Sequence, residues 1–307
     1  MTAQPGPGPM LTPTATATPV TLCGGPPVMT ILAIGSDTRG STYTYGLSDV
    51  MRAVRVDFVN GKVMVLAFPR DLYVEIPGIS EHGGITHGKL NQAYLYGNPG
   101  FGYYDGPGEG PGLLALTLEH NFGLHTDHYI AVNMQTFVRI VDAVGGIDID
   151  LPYTVDGRDV GQDYRTDLVF RAGHHHLNGQ QALMLARLRP NGVFARTEVQ
   201  SLILYALRDR LTSPDILPKL PELIATFLGS VQTDLSAEQI AQLTCLATHI
   251  RQPDLIFVYF PAELFKGTRI HDPVLGYTFV WDVDFNLLRA YVGYFNAGTW
   301  PASPTSP

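Results

Sequence analysis

The sequence carries little charge. Only 16% of its 307 residues are Asp, Glu, Lys or Arg, against roughly 25% in an average soluble domain. Its hydrophobic share of 45% excludes a disordered chain, which would combine low hydrophobicity with high net charge. The formal net charge is −8, so the basic excess that drives nucleic-acid binding through counterion release is missing. We therefore expect no nucleic-acid partner.

Cysteine is scarce, because Cys23 and Cys245 are the only two in the chain. They either form one disulfide, which implies an oxidising compartment, or are two unrelated buried thiols. Their separation in sequence carries no information on their distance in space. Both interpretations remain open at this point.

Long apolar runs are also missing, since no stretch reaches the roughly 18 consecutive apolar residues of a membrane-spanning helix. Residues 1–28 are rich in Pro, Thr and Gly and lack the basic and apolar regions of a signal peptide. We interpret them as a flexible tail. Such tails often follow a cleaved or deleted anchor in exported proteins, and a genuine cytosolic start fits equally well.

The rest of the chain alternates strand and helix patterns, which predicts an α/β or α+β sandwich around one sheet. An Asn60-Gly61 turn joins the second and third strands into a hairpin, and residues 152–171 are predicted to form a loop. The predicted strands are 29–34, 51–58, 62–68, 72–76, 127–132, 147–151 and 255–260. The predicted helices are 89–96, 112–122, 133–143, 179–186, 196–211, 236–250 and 282–294.

Charged residues stand at the ends of the first three predicted strands. Asp37 follows the first strand, Asp49 lies at the start of the second, and Arg70 and Asp71 follow the third. Ligands of open α/β sheets bind at strand ends, and two carboxylates there can share a hard cation such as Mg²⁺. Asp beside Gly and Ser is, however, more often part of a turn.

Further along the chain, arginines flank the predicted helices. We predict that Arg187 and Arg189 lie in an extended stretch, where residues two apart point the same way. Arg196 and Gln200 are one helical turn apart near a helix start, and a helix start together with guanidinium groups favours a phosphate. A single arginine of this kind is more often in a surface ion pair. Several of them at element ends in a chain this poor in charge favour an anion site.

Three consecutive histidines, His174 to His176, raise the question of a metal site. Consecutive side chains do not converge on one metal in an ordinary backbone, and no cysteine or acidic residue is near in sequence. We interpret them as a loop before the helix at Gly179.

Seven segments in a fixed order resemble the LytR-CpsA-Psr family, and the resemblance covers about residues 29–212. These segments are GSDTRG (35–40), SD (48–49), AFPRD (67–71), KLNQAY (89–94), VDAVGGIDIDLP (141–152), AGHHHLNGQQALMLARLR (172–189) and FARTEVQ (194–200). The resemblance implies a three-layer α/β/α sandwich around a twisted mixed sheet with a large apolar pocket.

The resemblance also implies an activity. Family members are extracytoplasmic phosphotransferases that move a glycopolymer from a polyprenyl-pyrophosphate carrier to peptidoglycan or another cell-wall acceptor, with Mg²⁺ or Mn²⁺ as cofactor. We therefore expect a location at the cell surface or membrane, with membrane contact through the lipid. The N-terminal transmembrane helix usual in the family is not found in this sequence, which suggests an ectodomain, a truncated start or a released form.

Site residues carry over by position. The metal-binding aspartates correspond to Asp37 and Asp49, and Asp37 and Asp71 are candidate proton acceptors for the sugar hydroxyl. The resemblance assigns pyrophosphate or substrate binding to Arg39, Arg70, Arg187, Arg189, Arg196 and Gln200. The lipid also needs an apolar groove, and residues on predicted helices are candidates to line it, although each of them fits an ordinary core position at least as well. These are Leu113, Leu116, Phe137, Ile140, Val141, Leu202, Leu204, Tyr205 and Leu207.

Two positions depart from the family pattern, because Val193 replaces an acidic residue and Val199 replaces a second arginine. These departures motivate one alternative, a non-catalytic module that binds polyprenyl phosphate or glycan. A polyprenyl-pyrophosphate pyrophosphatase is a further alternative, and a structural cell-surface protein is disfavoured because its arginines would have no reason to gather at element ends. For domain organisation we expect a tail (1–28), a catalytic domain (29–212), a part packing on that domain (213–297) and a second tail (298–307).

Overall fold

The computed structural model describes residues 20–300 apart from 39, 41, 160 and 189–191, with the backbone alone for 192–195. The strands are β1 (Val28–Ser36), β2 (Ser48–Asp57), β3 (Lys62–Ala67), β4 (Tyr73–Glu75), β5 (His87–Lys89), β6 (His128–Asn133), β7 (Ile147–Leu151), β8 (Val155–Asp156), β9 (Val169–Phe170), β10 (Gly173–Leu177), β11 (Gln232–Thr233), β12 (Leu255–Val258), β13 (Lys266–Asp272) and β14 (Gly276–Asp282). The helices are α1 (Leu90–Gly97), α2 (Glu109–Phe122), α3 (Met134–Ala143), α4 (Gly179–Arg187), α5 (Gly192–Leu211), α6 (Leu220–Leu228), α7 (Ala237–Ala247) and α8 (Phe285–Ala297).

Six strands form the main sheet, in the order β11-β6-β1-β2-β3-β12. β1 pairs in parallel with β6, and β12 pairs in parallel with β3, while the other neighbours are antiparallel. The predicted hairpin is confirmed, since β2 and β3 pair from Asp57↔Lys62 to Arg52↔Ala67. The connection between them is the four residues 58–61, of which Gly61 has a positive φ. The sheet is mixed and the class is α/β, as predicted.

Helices cover both faces of this sheet, because side chains along a strand alternate between the two faces. Leu32 and Ile34 of β1 point into the largest apolar core, together with residues of α1, α2 and α8. Met29 and Ile31 point to the other face, where α7 contributes Leu246 to a smaller core. The chain is therefore a three-layer α/β/α sandwich.

The strand predicted at 147–151 exists as β7 but does not join the main sheet, which corrects the prediction of a single sheet. β7 pairs only with β10 among the described strands. Its alternating residues Ile147, Ile149 and Leu151 are buried in a separate core formed with α3, α4 and α5. The three helices also line a cavity on the face of the main sheet, whereas the small sheet packs behind them.

The three histidines lie in strand β10 and not in a loop, which corrects that prediction. Antiparallel pairing with β7 places His174 opposite Asp150 and His176 opposite Asp148. His176 Nδ1 lies 2.9 Å from a carboxylate oxygen of Asp148, and His174 Nδ1 lies 3.3 Å from one of Asp150. No acidic residue is close to these histidines in sequence, but the neighbouring strand β7 places Asp148 and Asp150 beside them.

The residues just before β1 already pack against the rest of the protein. The predicted flexible tail of residues 1–28 therefore ends too late, because residues 22–24 belong to the folded part. Leu22–Gly24 forms a turn of 3₁₀ helix, and the backbone N–H of Leu22 donates to the carbonyl of Phe58 at 2.8 Å. Cys23 forms a disulfide with Cys245 on α7, with a Cα–Cα distance of 5.9 Å. Residues 1–19 lie outside the described residues.

This disulfide is expected to stabilise the fold. It links residues 222 positions apart, and a disulfide that closes a long loop contributes about 2–4 kcal/mol, chiefly by restricting the unfolded chain. We expect the double substitution Cys23→Ser and Cys245→Ser to lower the free energy of unfolding by that amount in urea titrations. An unchanged urea midpoint, or two free thiols in the native protein by mass spectrometry, would contradict this prediction.

Residues after 212 contribute to the same architecture. β11 and β12 join the two edges of the main sheet, and α8 places Leu288, Val292 and Phe295 in the largest core. Trp300 packs on Phe260 with ring centroids 6.0 Å apart, so the second tail, predicted for 298–307, is also packed at its inner end. The domain division at residue 212 stays a prediction. Within the described part of the chain, no helix combines the length and hydropathy needed to cross a bilayer.

Candidate functional site

A cavity of about 260 Å³ lies between the main sheet and helices α3, α4 and α5. The small residues Ala33 and Gly35 lie at the centre of the sheet on this face, so β1 leaves space where a larger side chain would fill it. The apolar lining consists of Ala33, Ile34, Gly35, Val50, Ile130, Val132, Met134, Phe137, Ile140, Leu183, Ala186, Ile203, Leu204 and Leu207. The cavity is thus mainly apolar. Its polar lining residues are Ser36, Asp49, Arg52, Arg187, Arg196 and Gln200.

Four of the nine residues predicted to line a lipid groove lie in this cavity: Phe137, Ile140, Leu204 and Leu207. Two others were placed in the wrong layer, because α2 packs on the opposite face of the sheet, where Leu113 is fully buried and Leu116 is exposed. Val141 points into the core beside β7, with Leu202 packed against that core. Tyr205 donates its hydroxyl to the carbonyl of Leu255 at 3.0 Å.

The two predicted metal-binding aspartates lie at the same end of strands β1 and β2. The register between these strands shifts from Gly35↔Val50 to Ser36↔Ser48, so Asp49 is the extra residue of a β-bulge, a feature that redirects a side chain. Asp49 lines the cavity. Asp37 follows β1, and its Oδ1 accepts a hydrogen bond from the backbone N–H of Leu47 at 2.6 Å.

Arg70 joins the loop after β3 to this bulge. Its Nη1 forms an ion pair with Asp49, and its Nε lies 3.3 Å from Asp71 Oδ2. Burial opposes the charge of Arg70, but the two carboxylates outweigh burial and raise the pKa of the guanidinium. Lys89, at the end of β5, contacts the other oxygen of Asp71 at 2.9 Å. The four side chains form a chain of alternating charge next to the cavity.

Arg196 and Gln200 lie on the face of α5 that lines the cavity, as the one-turn spacing predicts. Arg196 is 5% exposed, and Gln200 Nε2 donates to the carbonyl of Ala186 at 3.1 Å, which ties α5 to α4. Arg187 also lines the cavity. It is the last residue of helix α4, so the predicted extended stretch does not begin before Leu188.

Two predicted residues, Arg39 and Arg189, lie outside the described residues. The position that usually holds a second arginine, Val199, is buried in the core beside β7. An apolar residue therefore suits this position in the present chain, and Val199 takes no part in lining the cavity.

Two cations of the site were not anticipated. Lys89 belongs to the segment KLNQAY, but nothing in sequence relates it to Asp71. Arg52 on β2 is buried and lines the cavity next to Asp49. The sequence does contain a signal for Arg52, which lies two residues from Val50 in a largely apolar strand. Because side chains alternate along a strand, both residues point to the same face of the sheet, the one that lines the cavity.

Together these residues can bind an elongated amphiphile that carries negative charge. Arg52, Arg187 and Arg196 line the cavity, while Asp49 is its only acidic lining residue among those described and is already paired with Arg70. An adjoining small cleft shares Asp49, Arg52, Arg196 and Gln200 with the cavity and adds Arg70. Guanidinium groups bind phosphate oxygens with charge-assisted hydrogen bonds, and the apolar walls can enclose a hydrocarbon chain.

Comparison with known sequences agrees with this geometry. The sequence profile of the LytR_cpsA_psr family matches residues 25–271. The polyisoprenyl-teichoic acid–peptidoglycan teichoic acid transferase TagU of Bacillus cereus is 30% identical over 217 residues, which span 69% of this chain and 62% of TagU. The regulatory protein MsrR of Staphylococcus aureus is 29% identical over 218 residues, which span 70% of this chain and 58% of MsrR. The chain thus spans about three fifths of these curated relatives.

Solved structures show the same fold. The crystal structure of Bacillus subtilis TagV superposes with a TM-score of 0.65 at 24% identity, covering 89% of this chain and 98% of that one. A structure described as TagT bound to LIIa-WTA superposes with a TM-score of 0.64 at 19% identity, covering 88% and 90% of the two chains. The fold, the seven sequence segments in their fixed order and the match to the family profile all agree. The chain belongs to the LytR-CpsA-Psr family.

Proposed function

We propose that this protein transfers a glycopolymer from a polyprenyl-pyrophosphate carrier to a cell-wall acceptor such as peptidoglycan. The observation that carries the proposal is the cavity, whose walls are apolar and whose charged lining is dominated by arginines. A lipid pyrophosphate has the same two parts, a hydrocarbon chain and a compact anion. The name of TagU, a transferase that acts on polyisoprenyl-linked teichoic acid and peptidoglycan, supports the same class of donor and acceptor.

In the proposed reaction the hydroxyl oxygen of the acceptor forms a new bond to the phosphorus that carries the glycan. The P–O bond to the lipid phosphate breaks, polyprenyl phosphate leaves, and the hydroxyl proton passes to a base. Such transfers depend on positioning and on neutralising charge. Arg70 and Arg196 are placed to bind the phosphate oxygens at the cleft that joins the cavity, while the cavity holds the first part of the lipid chain.

A divalent cation fits the donor groups at the end of β1 and β2. Asp37 and Asp49 each engage one carboxylate oxygen and leave the other without a hydrogen bond from the described residues. No cluster of three or more acidic or histidine ligands surrounds them there, which suits Mg²⁺ or Mn²⁺, since Mg²⁺ is commonly held by one or two carboxylates and substrate phosphates. When bound, the cation supplies charge neutralisation of the pyrophosphate.

The two candidate proton acceptors differ in their surroundings. Both oxygens of Asp71 contact cations, Arg70 at 3.3 Å and Lys89 at 2.9 Å, and the residue is 6% exposed. Because both of its oxygens are already engaged by cations, we assign Asp71 to the positioning of Arg70. Asp37 is half-buried and its Oδ1 already accepts from Leu47, so its other oxygen can serve as the proton acceptor only as an alternative to holding the cation.

An extracytoplasmic location belongs to the same proposal. The disulfide between Cys23 and Cys245 supports it, because disulfides persist in oxidising compartments and are rare in the cytosol. Membrane contact follows from the proposed substrate, whose lipid chain must be drawn from a bilayer.

Removal of divalent cations is expected to lower transfer at least about tenfold, because the charge of the pyrophosphate would then be only partly neutralised. The measurement follows label from a polyprenyl-pyrophosphate-linked oligosaccharide into peptidoglycan fragments, before and after EDTA treatment. Added Mg²⁺ or Mn²⁺ should restore the rate, whereas Asp49→Asn should respond weakly to the added metal. Full transfer in EDTA would contradict the proposed cation.

The same assay separates the alternative functions. Release of polyprenyl phosphate with no label on the acceptor would identify a pyrophosphatase. Binding of the lipid with no turnover at all would identify a non-catalytic module, the alternative that Val193 and Val199 keep open. A protein that neither binds the lipid nor responds to metal would fit a structural role and would overturn the proposal.

A further inference from the structure

Arg52 is a buried cation, 2% exposed, beside the cavity. It pairs with no carboxylate in the part of the chain that the structure describes. Its Nη1 donates to Ser201 Oγ at 3.0 Å, and its Nη2 donates to the carbonyl of Thr197 at 3.1 Å. Its Nε has no hydrogen-bond partner there, although a guanidinium carries five N–H donors that seek acceptors.

The surroundings of Arg52 compensate its charge only in part. Burial lowers the pKa of the guanidinium, while the neighbouring hydroxyl of Tyr259 acts in the opposite direction. The ring of Phe257 lies 5.5 Å from the guanidinium carbon, a cation–π contact. A buried charge without an ionic partner is costly, and an apolar side chain would fill the same place on β2 at lower cost. We therefore expect a bound anion, which is not part of the chain, to neutralise the charge of Arg52.

The location of Arg52 indicates which anion. Arg52 lines both the apolar cavity and the small cleft that contains Arg70, and Arg196 and Asp49 line the same two spaces. An anion bound by Arg70 and Arg196 therefore lies beside Arg52. The hydrogen bonds to Ser201 and Thr197 fix the guanidinium against α5, so that it is oriented before a ligand arrives.

We propose that Arg52 is an additional anion-binding residue, which contacts a phosphate of the bound lipid pyrophosphate from the sheet side. This inference rests on the proposed function, since it assumes a lipid pyrophosphate in the cavity. Arg52 binds the charged group at the inner end of the site, where the anion meets the hydrocarbon chain. It thereby selects lipids that carry pyrophosphate over neutral lipids of the same length.

The test replaces Arg52 with methionine, which keeps an unbranched side chain and removes the charge. We expect Arg52→Met to bind farnesyl pyrophosphate about tenfold more weakly, the effect of losing one hydrogen bond to a charged group. Binding of farnesol, which has the same chain and no charge, should be unchanged. Thermal unfolding should occur at the same or a higher temperature, because an uncompensated charge is gone. A merely structural role would instead lower Tm and weaken both ligands alike.

Arg55→Met is the matched control, since Arg55 lies on the same strand but pairs with Asp57. If Arg52→Met binds farnesyl pyrophosphate within about twofold of wild type, the inference is overturned, and a simultaneous loss of binding in Arg70→Ala shows that the proposed function survives. If wild type itself does not prefer farnesyl pyrophosphate over farnesol, the proposed function fails with it. Should Arg52→Met not fold, Arg52→Gln serves instead: it keeps a polar side chain that can bond Ser201 and Thr197 but removes the charge, so unchanged affinity would overturn the inference.

Discussion

Replacing Arg70 with alanine is expected to lower kcat for glycan transfer about a thousandfold, within the range seen when an arginine or oxyanion donor is removed from a phosphoryl or acyl transfer site. Arg70 is the residue that connects the bulge at Asp49 with Asp71. Its loss removes one positive charge from the phosphate site and leaves Asp49 without its ionic partner. The unpaired carboxylate then repels the pyrophosphate, so substrate binding weakens as well.

The control for Arg70→Ala is Arg158→Ala, which removes a half-buried arginine at the surface, outside the cavity lining, that binds both oxygens of Asp156. Surface pairs of this kind contribute about 0–1 kcal/mol, so both Tm and turnover should stay close to wild type. Arg70→Ala itself should remain folded, because Lys89 continues to hold Asp71. Turnover of Arg70→Ala within about threefold of wild type would show that this arginine does not act on the transferred phosphate.

Local signals in the sequence were sufficient for the elements that form the site. The Asn60-Gly61 dipeptide indicated the hairpin of β2 with β3, and the Asn133 side chain caps α3 by accepting from the N–H of Thr136 at 2.8 Å. The Ser236 capping box opens α7 in the same way, with both reciprocal hydrogen bonds present. Turns and caps are decided within four residues, which is why a single sequence reveals them.

Strand partners and helix layers depend on distant contacts and were harder to infer. The pattern of β7 is that of an ordinary half-buried strand, and only its packing on α5 separates it from the main sheet. Helical periodicity gave an apolar face for α2 and for α5 alike. It did not show that Leu113 faces the core under the far side of the sheet, whereas Leu204 faces the cavity.

In the charged site, too, local sequence revealed some residues, whereas others depend on distant contacts. Asp37, Asp49 and Arg70 could be identified because they stand at strand ends, where ligands of α/β sheets bind. The bulge that redirects Asp49 is invisible in the sequence, since it exists only in the register between β1 and β2. Lys89 and Arg52 act through partners 18 and 149 positions away, and no spacing rule connects such residues.

Filling the cavity is expected to weaken lipid binding strongly and to leave the arginines in place. Ala33 lies on the cavity floor between Arg52 of β2 and Ile130 of β6, and a phenylalanine there would occupy space that the first part of the lipid chain needs. Each buried CH₂ contributes about 0.8 kcal/mol. Exclusion of about four CH₂ groups therefore weakens binding by about 3 kcal/mol, or roughly a hundredfold in Kd.

The measurement compares farnesyl pyrophosphate with inorganic pyrophosphate by calorimetry, so that chain and head group are separated. Ala33→Phe should lose affinity for the farnesyl ligand and keep its weaker affinity for pyrophosphate, because the guanidinium groups still surround the anion. Tm should not fall, since the added ring enters empty space. Ala53→Phe on the same sheet is the contrast, because Ala53 is fully buried in the other core and overpacking there costs about 1–3 kcal/mol in stability. Undiminished binding of farnesyl pyrophosphate to Ala33→Phe would show that the lipid chain occupies another surface, and the function proposed from this cavity would fall.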